Sequence, residues 1–132
     1  MIQGIGIDAV AIGRFKEWRH RSQKSLKRIL TEVEIQYCLS VAVKSSERFA
    51  VRFAAKEAFL KAVSAAYPEF KHSLLLVCKC VEVRNTASGV PKMIVDWYKL
   101  LKNTIKQEPR VHLSMSHTED NAFVVVIIES IT

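Results

Sequence analysis

The stretch "RFAAKEAFLKA", residues 52–62, sets the architecture of the chain. At about 100° per residue, Phe49, Phe53, Leu60 and Val63 fall on one arc, the stripe a helix buries. Ser45 or Ser46 is placed to cap this helix, and Pro68 stops it soon after Ala66. Ala50, Ala54, Lys61 and Ser64 share the face of Glu57, which puts Glu57 at the rim of the core among small neighbours. Lys56 projects into the apolar arc, where its stem is comfortable and its ammonium is not. Two accounts of Glu57 stand on the helix alone. It is half of a solvated i,i+4 pair with Lys61, or one of two carboxylates meeting in the fold.

Outward from the helix, "MIQGIGIDAV" at 1–10 alternates and reads as a first strand. A basic stretch from about 11 to 30 has helical spacing. It sets Arg14, Arg21, Lys24 and Arg28 along a stripe, with Phe15, Trp18, Leu26 and Ile29 on another side. "TEVE" at 31–34 is a capping box, Thr31 with Glu34, opening a helix to about Leu39. In the second half, "LLLVCKCVEVRN" at 74–85 reads as a strand, "TASGVP" as a turn and "PKMIVD" as the partner strand. "WYKLLKNTIKQ" at 97–107 has helical spacing. "RVHLSMSH" at 110–117 alternates, and "AFVVVIIE" at 122–129 is apolar on both faces, so the two make a hairpin with a central strand. Helices first and antiparallel strands later, with one strand at the front, predict an α+β domain over residues 1–132 in which a long helix packs on an antiparallel sheet.

Bulk properties narrow the partners. A net charge of +7 favours anionic ones. The aromatics are not interleaved with basic residues as on a nucleic-acid-binding sheet, which argues against nucleic acid. The longest apolar run is too short to span a bilayer, and the N-terminus lacks the build of a secretion signal. Three cysteines without zinc-ligand spacing indicate a reduced, cytoplasmic protein.

Asp8 ends the first strand, where a carboxylate needs a partner or a role as a helix cap. Gly4 and Gly6 before it suggest close approach of a ligand or another chain. Asp8 and Glu57, with Lys61 nearby, suit a hard divalent ion and a phosphate. In "SMSHT" at 114–118, Ser116 and Thr118 alternate on one face at a strand end and His117 lies at the turn, all able to meet phosphate oxygens.

"GIGID" at 4–8, "RIL" with "TEVE" at 28–34, "RFAAKEAFLKA" at 52–62 and "VHLSMSHT" at 111–118 together resemble the holo-[acyl-carrier-protein] synthases, short stand-alone phosphopantetheinyl transferases. The resemblance spans essentially the whole chain. It implies an enzyme of fatty-acid biosynthesis that moves the phosphopantetheine of coenzyme A onto a serine of apo acyl carrier protein, releasing adenosine bisphosphate. By carry-over, Asp8 and Glu57 would hold Mg²⁺ (or Mn²⁺) and Lys61 would stabilise phosphate charge. Arg52 and His117, with Ser116 or Thr118, would bind coenzyme A phosphates, and Gly89 and Pro91 would border the adenine. A carboxylate or a metal-bound water would take the serine proton. The resemblance also implies a homotrimer with active sites between subunits, and docking of the acidic carrier protein on Arg14, Arg21, Lys24 and Arg28. Two places depart from the family: "AVSAAYPEF" at 62–70 has no glycine, and Val90 stands between Gly89 and Pro91 where lysine is usual.

Overall fold

The computed structural model describes residues 1–102 and 104–131. In chain order the elements are β1 (Ile2–Ala11), α1 (Gln23–Leu26), α2 (Glu32–Leu39), α3 (Ser45–Ala66), α4 (Leu74–Cys80), β2 (Val81–Asn85), β3 (Pro91–Val95), α5 (Trp97–Leu100), β4 (Arg110–His117) and β5 (Asn121–Glu129). An antiparallel sheet, β1-β5-β4, lies on α3, and a separate two-stranded hairpin is formed by β2 and β3. The fold is α+β, with the long helix on an antiparallel sheet as expected. β5 is the central strand, its Val124, Val126 and Ile128 buried against the helix.

Strand β1 comes down onto α3 through its glycines. A Cβ on Gly6 would overlap the Ala58 carbonyl oxygen, and one on Gly4 would overlap that of Ala62. Gly4 and Gly6 therefore admit the chain's own helix rather than a ligand or another chain. The alanines answer them: Ala50, Ala54, Ala58 and Ala62 are fully buried. In sequence these alanines read as keeping the face beside Glu57 low enough for a ligand to lie on it; in the fold β1 covers them, because glycine opposite alanine lets two backbones approach closely. In the alternation of β1, the next inward position after Gly4 and Gly6 is Asp8.

Local chemistry explains the differences from expectation. The segment 11–30 is not one helix. It forms 3₁₀ turns at Ile12–Phe15 and Trp18–His20, then the single turn α1. Ser22 restarts the chain by accepting the Ser25 amide at 3.2 Å. Residues 74–80, expected as strand, are helical. Ser73 caps them by accepting the Leu76 amide at 3.2 Å. Leucines lack the β-branch that stiffens strands, and the strand begins where valines alternate, at Val81. Helix α5 ends at Leu100 rather than continuing towards 107; Asn103 of that expected helix lies outside the described residues. Helix α3 starts at Ser45 itself with Lys44 at the cap position, so neither Ser45 nor Ser46 caps it by side chain. The capping box at Thr31 and Glu34 forms with both reciprocal bonds.

Lys56 does not snorkel. It is fully buried, and its ammonium lies 2.8 Å from Glu34 Oε1, also fully buried.

Candidate functional site

Two groups of polar side chains stand out, on opposite sides of α3. The first joins β1 to the helix. Lys61 Nζ donates to the Ile7 carbonyl at 2.8 Å and to Asp8 Oδ1 at 3.2 Å. The side chain of Asp8 is 15% exposed, and its Oδ2 is buried with no partner among the described residues. Glu57, half-buried, lies one turn before Lys61, and among the described residues Lys61 pairs with Asp8 rather than with it. The solvated i,i+4 account of Glu57 therefore does not describe this helix. A carboxylate of β1 and a lysine of α3 thus meet, with the second Asp8 oxygen left over and Glu57 one helical turn away from Lys61.

The second group lines a cleft of about 200 Å³ between the start of α3, the β2–β3 hairpin and the end of β4. The Tyr37 ring, on α2, is flanked by two guanidinium groups, Arg48 and Arg52, each 4.0 Å from its centroid. Arg48 also donates to the Tyr37 carbonyl at 2.9 Å and to Ser40 Oγ at 3.0 Å. Arg52 is 3% exposed, its Nη2 reaches Asn85 Oδ1 at 3.4 Å, and its Nε is buried without a partner among the described residues. Burial lowers the Arg52 pKa, with the neighbouring Cys38 and Tyr37 opposing the shift. A guanidinium stays protonated even so. Among the described residues no carboxylate pairs with Arg48 or Arg52; Glu47, in the same lining, lies against His117 instead.

Gly89, Pro91, Ser116 and His117 also line it, with Glu47, Val51 and Met115. Gly89 takes the left-handed conformation (φ 82°) that the hairpin turn requires, and its amide donates to the Thr86 carbonyl at 2.8 Å. His117 falls on the helix-facing side of β4, in register with Ala122, and its Nε2 lies 3.0 Å from Glu47 Oε1. Thr118 does not line the cleft. Its hydroxyl closes the β4–β5 turn, accepting the Asn121 amide at 3.1 Å. Of the two hydroxyl residues left open by sequence, Ser116 borders the cleft, although its register with Phe123 turns its side chain to the outer face of the sheet.

The structure brings Arg52, Gly89, Pro91, Ser116 and His117 of the expected residues to one cleft, and Asp8 to Lys61. The same cleft holds Tyr37, Arg48 and Asn85, which the sequence reading does not single out. Arg48 carried a signal, since it lies one turn before Arg52 on the same helix face. Asn85 and Tyr37 reach the cleft from other elements, which no local pattern reveals. Arg14, Arg21, Lys24 and Arg28 are all exposed but share no single helix. Arg14 stacks near Phe15 and Phe53, 5.6 and 5.8 Å from their ring centroids, and Arg21 lies 4.5 Å from the Trp18 ring.

A cleft with two arginines on one side of α3 and a carboxylate–lysine pair on the other are the chemistry that suits an anionic, phosphorylated ligand. Residues 4–127 match the 4'-phosphopantetheinyl transferase superfamily. The chain is 38% identical over 129 residues to the holo-[acyl-carrier-protein] synthase of Clostridium tetani, covering 98% of this chain and 97% of that one. It is 41% identical over 126 residues to the enzyme of that name from Chloroherpeton thalassium, with 95% and 96% covered. Its fold is similar to the Bacillus anthracis holo-(acyl-carrier-protein) synthase solved in complex with CoA (3',5'-ADP). There the TM-score is 0.70 and the identity 34%, over 99% of both chains. The chain belongs to the holo-[acyl-carrier-protein] synthase family.

Proposed function

We propose that this chain transfers the phosphopantetheine of coenzyme A to a serine of an acidic acyl carrier protein, with Arg48, Arg52, Ser116 and His117 holding coenzyme phosphates. The observation that carries this is the Arg48–Tyr37–Arg52 stack, two cations without an acidic partner in a cleft. Guanidinium forks suit phosphate oxygens in geometry as well as charge. Gly89 and Pro91, on the hairpin turn, border the adenine. In the reaction the serine oxygen forms a bond to the phosphorus that carries the pantetheine. The bond from that phosphorus to the bridging oxygen breaks, and adenosine bisphosphate leaves. Such a transfer rests on alignment and charge neutralisation more than on covalent help from the protein.

Asp8 and Glu57 would hold Mg²⁺ or Mn²⁺. The fit is carried by Asp8, whose Oδ1 is taken by Lys61 while the buried Oδ2 has no protein partner. One or two carboxylates completed by substrate phosphate is the donor set such ions take. When bound, the ion supplies positive charge to the diphosphate. Lys61, already anchored on β1, adds its charge at the phosphate under attack and at the one that departs. Asp8 or Glu57 is positioned as acceptor of the serine proton.

The two groups belong to one active site shared between subunits of a homotrimer. Arg52 and Glu57 are five residues apart, so they point about 140° apart around α3. A neighbouring copy reconciles them by presenting its cleft to this chain's carboxylates. The outer face of the sheet supports such contact: Ile5, Ile7 and Phe123 are 57%, 63% and 41% exposed. Arg14, Arg21, Lys24 and Arg28 form the docking surface for the acidic carrier protein, with Arg14 and Arg21 steadied on aromatic rings. We take the reaction to serve fatty-acid biosynthesis in the cytoplasm. Three free, buried thiols suit a reducing compartment.

The test is direct. The protein is incubated with coenzyme A, Mg²⁺ and an apo carrier protein, and the carrier is weighed by mass spectrometry. A Mg²⁺-dependent gain of one phosphopantetheine is expected; no gain overturns the reading.

A further inference from the structure

The buried ion pair of Glu34 and Lys56 belongs to no part of the chemistry above, yet it sits at a junction. Glu34 Oε1 accepts the Thr31 amide at 2.8 Å and the Lys56 ammonium at 2.8 Å. Its Oε2 accepts the Val83 amide at 2.8 Å. Lys56 Nζ also donates to the Val81 carbonyl at 2.6 Å. The pair therefore ties together the start of α2, the middle of α3 and strand β2.

Strand β2 explains why charges are tolerated there. Among the described residues it pairs only with β3, and no strand lies beside its other edge. The Val81 carbonyl and the Val83 amide point to that edge, where water is excluded: Val81 and Val83 are 2% and 1% exposed. An acceptor and a donor are both required, and Glu34 and Lys56 supply one each. A hydrophobic pair of equal volume would fill the space and leave both backbone groups unsatisfied. The pair acts as a substitute for the missing strand.

The consequence lies at the far end of the same strand. Asn85 ends β2 and receives the Arg52 guanidinium, and the turn beyond it carries Gly89 to the cleft, with Pro91 opening β3. Arg52 lies one turn before Lys56 on α3, on the same side of the helix. Lys56 and Glu34 thus set the position of the hairpin wall relative to the arginines on the helix wall.

We propose that Glu34 and Lys56 are positioning residues for the coenzyme cleft, fixing the β2–β3 hairpin by hydrogen bonds to its open edge. This rests on the reading that the cleft takes coenzyme A. The test uses the full chain with Glu34→Met and Lys56→Met combined, which removes both charges together and avoids stranding either one. Glu34→Gln serves as a second, isosteric variant. Three quantities are measured: KM for coenzyme A against kcat, KM for the carrier protein, and hydrogen exchange of the hairpin amides over residues 83–90. The expected result is at least a tenfold rise in the coenzyme A KM, with a smaller fall in kcat and a carrier KM within about threefold. Hairpin exchange rises at the same time. KM does not depend on the fraction of protein that is folded, so a partly folded preparation still reports it. A lowered melting temperature with unchanged coenzyme A KM shows that the pair only stabilises the fold, and overturns the proposal. Unchanged hairpin exchange also overturns it. If the wild type fails to bind coenzyme A at all by calorimetry, the reading of the cleft falls, while the exchange experiment still decides whether the pair pins the hairpin.

Discussion

Lys61 reaches from α3 to β1, donating to the Ile7 carbonyl at 2.8 Å and to Asp8 Oδ1 at 3.2 Å. The ammonium is held beside a carboxylate whose second oxygen is buried and unpartnered. Lys61 is half exposed, so the pair contributes little to stability and its value lies in placement. Asp8→Asn and Glu57→Gln are expected to reduce kcat by about 100-fold or more, the order seen when a charge-stabilising group is removed. Their melting temperatures should stay within a few degrees of wild type. Rates within tenfold of wild type in the carrier-modification assay would remove both carboxylates from the chemistry.

The contact of β1 with α3 makes a sharper structural prediction. A methyl group at Gly6 would overlap the Ala58 carbonyl oxygen and crowd the Ala62 amide at 2.8 Å. Both obstacles are backbone, so neither can rotate aside. Gly6→Ala should cost about 1–3 kcal/mol or more, read as a fall of roughly 5 °C or more in melting temperature. Gly13→Ala is the control, since its added methyl meets nothing nearby. Equal melting of the two variants would show that the close approach is not tight.

The same contact shows where the sequence was legible. Strict alternation in β1 and β4, the apolar run of β5 and the Thr31–Glu34 box each name their element, because the signal lies within a few consecutive residues. The places of Asp8, Arg52 and His117 in the candidate site were legible because each sits on such an element. What could not be read depends on a second element. The alanines of α3 looked like an open face because nothing local announces that glycines will press against them. Lys56 looked misplaced because its partner, Glu34, is on another helix and already occupied by the capping box. Leu74–Cys80 was mistaken for strand because a short apolar run reads both ways until the cap at Ser73 is weighed.

The cysteines carry a prediction on reactivity and pH. Burial pushes the Cys38 thiol up to about 12 and the Cys78 thiol up to about 11, and also raises Cys80. At pH 8 the folded protein keeps these thiols protonated, so a thiolate-specific reagent should modify them slowly. All three should react promptly once the chain is denatured. The linkage has a definite sign. A raised pKa means that the folded state holds its proton longer than the unfolded chain. This contribution is complete below the ordinary thiol value of 9.0 and is lost as pH climbs towards about 12. Melting temperature should fall across that range, and the fall should be shallower in Cys38→Ala. Prompt modification of Cys38 in the native protein would refute its burial.

The exposed outer face of the sheet gives the last prediction. Ile5 and Phe123 both lie on that face, Ile5 in register with Ile127 and Phe123 with Ala9. They are 57% and 41% exposed, an apolar area that a monomer leaves in water. If three copies cover it, light scattering should give a particle of three 15.0 kDa chains for the wild type. Ile5→Glu or Phe123→Glu should shift the population to the single chain, because a buried unpaired carboxylate is strongly unfavourable. Circular dichroism should be preserved, since neither side chain belongs to the core beneath the sheet. Neither residue belongs to the cleft or the carboxylate group, so a loss of turnover in the separated chains would mean that the two groups work across a subunit boundary. Monomers with full turnover would instead place a complete site within one chain, and a wild type that is monomeric at micromolar concentration would leave the apolar face without its proposed partner.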